Sequence, residues 1–212
     1  MPFVVLIPAA GRSRRMGAAK AWLQLAGECL LQRIVTTACS AGASAVVVVA
    51  GAEESPGQGP EAADLVTRID VATRLQIPAG KRLSVAVADP DGALIDSIRA
   101  GLGLVPEGAD LLLWPVDAPF ADTALVRAMA DALGAHRERI VVPVVGERRG
   151  HPILLGAEAA LELDGPHADA GANAVVRRLP ERVTLLPAAD RRVVAPLNTP
   201  EEATALGVAP GG

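Results

Sequence analysis

Short runs of consecutive apolar residues are the strongest constraint on what this chain can fold into. Phe3-Val4-Val5-Leu6-Ile7 and Ala45-Val46-Val47-Val48-Val49-Ala50 contain no polar residue at all. A strand of that kind has no face to offer water, so it belongs in a sheet covered on both sides. Between these two runs Leu30, Leu31, Ile34, Val35 and Ala38 recur at the spacing of a helix with one buried face, which ends at Gly42. Strand, helix and strand within fifty residues form a βαβ unit, whose right-handed crossover makes the strands parallel.

Later segments repeat the alternation. Leu83–Ala88, an apolar run ending near Asp117, and Arg139–Val145 read as further strands. Thr123–Leu133 reads as a helix with Leu125, Val126, Met129 and Leu133 inward. A helix over 61–75 would turn Leu65, Val66 and Ile69 inward, and another runs over 93–104. Residues 146–155 read as a turn with a second β-run, a small inserted hairpin. Residues 53–60 are polar with Gly and Pro and read as a loop, and the role of 53–82 as a whole is not fixed by the sequence. The fold class expected is α/β, a single doubly wound and mostly parallel sheet spanning 1–206, followed by a disordered Gly/Pro-rich tail at 207–212.

Half of the 212 residues are apolar, enough for a large aliphatic core, while Phe3, Phe120, Trp22 and Trp114 are the only aromatics. A net charge of −4 and a pI near 5.4 give no general attraction to nucleic acid or to an anionic membrane. No apolar run approaches the roughly 20 residues that span a bilayer, and no signal peptide precedes the first strand. Cys29 and Cys39 lack a metal-spaced partner and read as thiols of a reduced compartment. A soluble cytoplasmic protein is expected, of an oligomeric state that the sequence does not fix.

Against that acidic background the loop after the first strand is locally basic: Ala9-Ala10-Gly11-Arg12-Ser13-Arg14-Arg15-Met16-Gly17-Ala18-Ala19-Lys20. Small residues let backbone N–H groups approach phosphate oxygens, and fixed cations balance the ligand's charge. It is neither a Walker A loop nor Gly-x-Gly-x-x-Gly. A β–α turn with solvated arginines would share these features. Asp117 follows an apolar run and is turned by Pro119, which places a carboxylate where open α/β sheets bind ligands. Beside a polyphosphate it would hold Mg²⁺; alternatively it belongs to a helix start with Asp122 and Thr123. Thr199-Pro200-Glu201-Glu202 is a helix start with a capping box, which accounts for every residue there except the preceding Asn198.

Pro8-Ala9-Ala10-Gly11 with Arg15-Met16-Gly17 and Lys20, then Leu23–Gly27, resembles the opening of the MobA-like nucleotidyltransferase superfamily. Ser97-Ile98-Arg99-Ala100-Gly101-Leu102, Asp117-Ala118-Pro119, Arg149-Gly150-His151-Pro152 and Asn198-Thr199-Pro200-Glu201 follow in that superfamily's order. The resemblance implies a Rossmann-like nucleotidyltransferase fold and transfer of a nucleoside monophosphate to a phosphorylated acceptor, with pyrophosphate released. It implies that the loop from Ala9 to Gly17, including Ala10, Gly11 and Arg12, wraps the nucleotide and that Arg15 and Lys20 hold its phosphates. Asp96 and Ser97 would lie beside the base, Asp117 and Asn198 would hold Mg²⁺, and His151 would face the acceptor.

Ala-Ala-Gly and Gly-His-Pro resemble the molybdenum cofactor cytidylyltransferase branch, which favours CTP as donor and molybdopterin as acceptor. Asn173 stands where that branch usually has Arg. The isoprenoid-pathway cytidylyltransferases share the opening, but their Ala-Gln-Thr-Pro-Gln segment is absent. Guanylyl transfer, transfer to a sugar or alcohol phosphate, and a non-catalytic nucleotide-binding module are the other readings.

Overall fold

The computed structural model describes residues 2–12, 16, 19–52, 60–195 and 197–210. Its elements begin with β1 (Phe3–Ala9), β2 (Gln24–Leu25), β3 (Glu28–Cys29), α1 (Leu30–Ala41), β4 (Ala45–Gly51), α2 (Pro60–Arg74), β5 (Arg82–Ala88) and α3 (Leu94–Leu102). They continue with β6 (Asp110–Leu113), α4 (Thr123–Leu133), β7 (Ile140–Val145), β8 (Arg148–Arg149), β9 (Ile153–Leu155) and α5 (Ala157–Leu161). The last are α6 (Ala172–Arg178), β10 (Val183–Pro187), α7 (Pro200–Ala205) and β11 (Val208–Ala209). The main sheet runs β10-β7-β9-β6-β1-β4-β5, with β8 paired to β7.

β1 is the centre because it can be buried on both faces. Phe3, Val5 and Ile7 point into one core with Leu30, Leu31 and Ile34 of α1 and Met129 of α4. Val4 and Leu6 point into the other, with Ile95 and Ile98 of α3 and Val175 and Val176 of α6. Each such side chain is worth about 1.5–3 kcal/mol of burial, which is what makes the doubly wound arrangement the stable one. The chain leaves β1 towards β4 and β5 on one side and returns to β6 on the other, so the order reverses at β1. The crevice beyond the carboxyl ends of β1 and β6 is therefore the natural ligand site.

Four details depart from the pattern expected of the sequence. The run 153–155 joins the main sheet as β9, antiparallel to both β6 and β7, and the hairpin proper is the two-residue β8 against β7. On α2 the inward positions are Thr67 and Val71, continued by Leu75 just past its end, whereas Ile69 is 54% exposed. A step of four residues selects one face, and Ile69 falls off it; the side chains of Leu65 and Val66 lie outside those described. Val208 is buried and β11 pairs with β2, so the segment after Gly207 is ordered up to Pro210 rather than loose. The three short strands β11, β2 and β3 make a second sheet that ties an early segment of the chain to a late one.

Gly101 lies where α3 crosses the sheet. A Cβ there would meet Leu6 Cδ1 and lie 2.7 Å from Val49 Cγ2. Gly101→Ala should therefore destabilise the fold by about 1–3 kcal/mol through overpacking. Chemical denaturation measures this, and a variant as stable as the parent would show that α3 has room to withdraw.

Candidate functional site

Ala10 at the end of β1 is buried, and Gly51 at the end of β4 lets the two strand ends close together, since a Cβ on Gly51 would strike the Ala10 carbonyl. Gly11 and Arg12 follow as exposed residues. Arg12 Nε pairs with Asp91 Oδ2 at 2.9 Å, tying the loop to the turn after β5. Arg15 and Gly17, two of the residues assigned to the nucleotide, lie outside the described residues. Ala19 precedes a 3-10 turn over Lys20–Trp22, ahead of β2.

Lys20 is where distant parts of the sequence meet. Its Nζ donates to Asp117 Oδ2 at 3.3 Å and to Asn198 Oδ1 at 3.0 Å. The β1 ladder delivers Asp117, because Trp114 N donates to Leu6 O and Val116 N to Pro8 O beyond the formal end of β6. Trp114, wholly buried, donates its indole N–H to Ala118 O at 2.8 Å and so fixes the turn that carries Asp117. Motif and periodicity do not single out Trp114. The signal that could have done so is one of only two tryptophans standing three residues before the acid, because a buried indole N–H needs a partner. Asn198 precedes α7, whose start is capped by Thr199 and Glu202.

Asp117 also divides two clefts of about 260 Å³ each. One is lined by Pro8, Ala9, Ala10, Gly11, Lys20 and Ser97. The other is lined by Arg148, Arg149, Gly150, His151 and Asn198. A larger cleft of about 530 Å³ opens between the Ala9–Arg12 segment and α2, bounded by Trp22, Gly51, Asp70 and Pro90. Ser97 is buried against the first cleft, but Asp96 is not among its walls. The Asp96 carboxylate accepts the Ala93 N–H at 3.1 Å and holds the start of α3. Helical geometry explains the difference, because adjacent residues point about 100° apart.

His151 lines the second cleft. Its backbone N–H donates to Val193 O at 3.1 Å, and its Nδ1 is sealed from solvent with no hydrogen-bond partner among the described residues. Burial pushes its pKa below 6.5, opposed by the nearby Asp117 carboxylate. His151 is therefore neutral near pH 7. Beside it, Arg148 donates from Nη2 to Val194 O at 2.8 Å, which orders the cleft wall.

The donor set suits a hard divalent cation. Asp117 and Asn198 already aim oxygen atoms at one cationic nitrogen, and oxygen ligands are what Mg²⁺ or Mn²⁺ prefers. Among the described residues no group of three His, Cys, Asp or Glu could hold a metal. Two protein oxygens are a partial shell, the kind completed by phosphate oxygens and water.

Among the described residues no helix is long and apolar enough to cross a membrane. The chain is 35% identical over 129 residues to the bifunctional enzyme IspD/IspF of Anaeromyxobacter dehalogenans (strain 2CP-C), an alignment covering 60% of this chain and 29% of that relative. Rv0371c from Mycobacterium tuberculosis H37Rv superposes with a TM-score of 0.73 at 24% identity, over 97% of this chain and 98% of that one. A second structure of Rv0371c, in complex with manganese, gives 0.66 at 20% identity over 98% of both chains. The 2-C-methyl-D-erythritol 4-phosphate cytidylyltransferase of Thermus thermophilus gives 0.63 at 19% identity over 98% of both chains. These likenesses establish a nucleotidyltransferase fold. The model of the MobA-like NTP transferase domain matches residues 5–183, and the chain, with its Lys20–Asp117–Asn198 cluster at the β1–β6 switch point, belongs to that family.

Proposed function

We propose that this chain is a cytoplasmic, Mg²⁺-dependent nucleotidyltransferase that moves CMP from CTP onto a small phosphorylated acceptor and releases pyrophosphate. The observation that carries the reading is the meeting of Lys20, Asp117 and Asn198 at the wall between two clefts. A transferase of this type must hold two anionic substrates on opposite sides of one phosphorus.

In this reading the triphosphate lies along Ala9–Arg12 and Lys20, with the base towards Ser97. The acceptor lies in the cleft of Arg149 and His151. An oxygen of the acceptor phosphate attacks the α-phosphorus, a new P–O bond forms, and the bond to the β-phosphate oxygen breaks. The acceptor phosphate is already anionic, so no side chain has to remove a proton. Neutral His151 fits this economy as a polar contact for the acceptor. Lys20 balances charge on the nucleotide phosphates, as Arg15 would from its loop. Asp117 and Asn198 would hold Mg²⁺, which when bound neutralises charge developing around the α-phosphorus.

The acceptor favoured by the Gly-His-Pro segment is molybdopterin or a similar pterin phosphate. A polyol phosphate is the second reading, supported by the likeness to IspD/IspF and to the Thermus thermophilus cytidylyltransferase. A pyrophosphate-release assay with CTP and each acceptor class separates the two.

Asp117→Ala should lower pyrophosphate release at least about 100-fold while circular dichroism and the unfolding transition stay native. Retained turnover would remove Asp117 from the site. In a thermal-shift panel of CTP, GTP, UTP and ATP with Mg²⁺, CTP should stabilise most, since the shift follows [L]/Kd; equal shifts would defeat the cytidine preference. A third expectation concerns pH. The unfolded chain takes up a proton on His151 near 6.5 and the folded chain only at lower pH, so stability is intact above that value and falls below it. His151→Asn should shrink the loss of stability between about pH 7.5 and about pH 5.5. An unchanged difference in denaturation midpoints would mean that the buried ring titrates normally.

A further inference from the structure

The start of α7 is wired in an unusual way. In an ordinary capping box the acid at the third helical position accepts the N–H of the N-cap residue alone. Here Glu202 Oε2 accepts the Thr199 N–H at 3.2 Å and, more tightly, the Asn198 N–H at 2.6 Å. Thr199 Oγ1 accepts the Glu202 N–H in return at 3.3 Å. The shorter, charge-assisted bond thus goes one residue upstream of the cap. It reaches the residue whose side chain meets Lys20.

The neighbouring contacts turn that bond into an aiming device. Leu197 and Ala203 are buried, so the chain is packed on either side of Asn198. The Asn198 peptide is held from behind by the carboxylate and its side chain projects forward to Lys20. Removing the carboxylate leaves a part-buried N–H without its acceptor and frees the backbone from which the amide is aimed.

We propose that Glu202 is a positioning residue for the metal site, acting through Asn198. The proposal rests on the reading of Asn198 as a metal-holding residue. A simple helix cap would affect stability alone; a positioning residue must also affect how much a divalent cation strengthens nucleotide binding.

The test measures CTP affinity by titration calorimetry with and without Mn²⁺ for wild type, Glu202→Ala, Glu202→Gln, Asn198→Ala and the Asn198→Ala/Glu202→Ala double variant. The expected result is that Glu202→Ala forfeits about tenfold or more of the Mn²⁺-dependent gain in CTP affinity, the scale of outer-shell substitutions at metal sites. Metal-free CTP affinity should stay as in wild type. Glu202→Gln, whose amide oxygen still accepts the Asn198 N–H, should recover most of the gain. In the Asn198→Ala background Glu202→Ala should add nothing. The proposal is overturned if Glu202→Ala lowers only the unfolding temperature, or if the two substitutions multiply. If wild type gains nothing from Mn²⁺, or Asn198→Ala keeps the full gain, the metal reading of Asn198 fails and the role of Glu202 fails with it.

Discussion

One ammonium group, shared between a carboxylate and an amide oxygen, marks the point where three segments remote in sequence meet. Lys20, Asp117 and Asn198 come from the exit of the first loop, the turn after β6 and the entry to α7. Each is held locally before they meet. Lys20 lies in a 3-10 turn just ahead of β2, Asp117 is held by the Trp114 indole, and Asn198 by the α7 cap. The small sheet then closes the circuit, since β2 follows Lys20, β11 follows α7, and the two strands pair. Loop closure between distant segments depends only weakly on length, so a few strand bonds and buried Val208 and Leu25 suffice to bring them together.

Stability alone is a poor reason to keep such a cluster. The Asp117 side chain is 41% exposed and that of Lys20 14%, so their ion pair is partly screened and worth little as a fastening. In the proposed reading its value lies in placement, because a cation and two oxygen donors are gathered beside the glycine and alanine turn assigned to the phosphates. Arg12 pairs with Asp91, which braces the turn after β5 against the same loop.

Much of this is legible in the order of residues alone. Runs that cannot face water have to be inner strands, and β1, β4 and β6 lie where those runs predict. The loop stands out by its local charge on an acidic chain, Asp117 by its place at the end of an apolar run, and Asn198 because the helix start behind it accounts for every neighbour but itself. What stays hidden has no periodic signal. β2, β3 and β11 are two residues long and take their stability from one another. An apolar triplet such as Ile153-Leu154-Leu155 reads the same in either direction, so its antiparallel course has no mark in the sequence. Ile69 is inward by hydrophobicity, but the face of α2 is decided by Val71 and Leu75.

The direction of β9 has a chemical consequence. In a purely parallel sheet every strand start lies at the far end from the ligands, and only segments that leave strands can reach the site. β9 runs the other way, and its register sets Ile153 opposite Leu113, the last residue of β6. The residues that enter β9 are thereby delivered to the same end as those that leave β6. His151, just ahead of β9, and Asp117, just beyond β6, come to line one cleft. Gly150 makes the approach possible, since a Cβ there would lie 2.5 Å from the Val193 carbonyl that accepts the His151 N–H. A single reversed strand thus gives the sheet a second wall beyond the carboxyl end of β6, and with it the second cleft that the proposed reading gives to the acceptor.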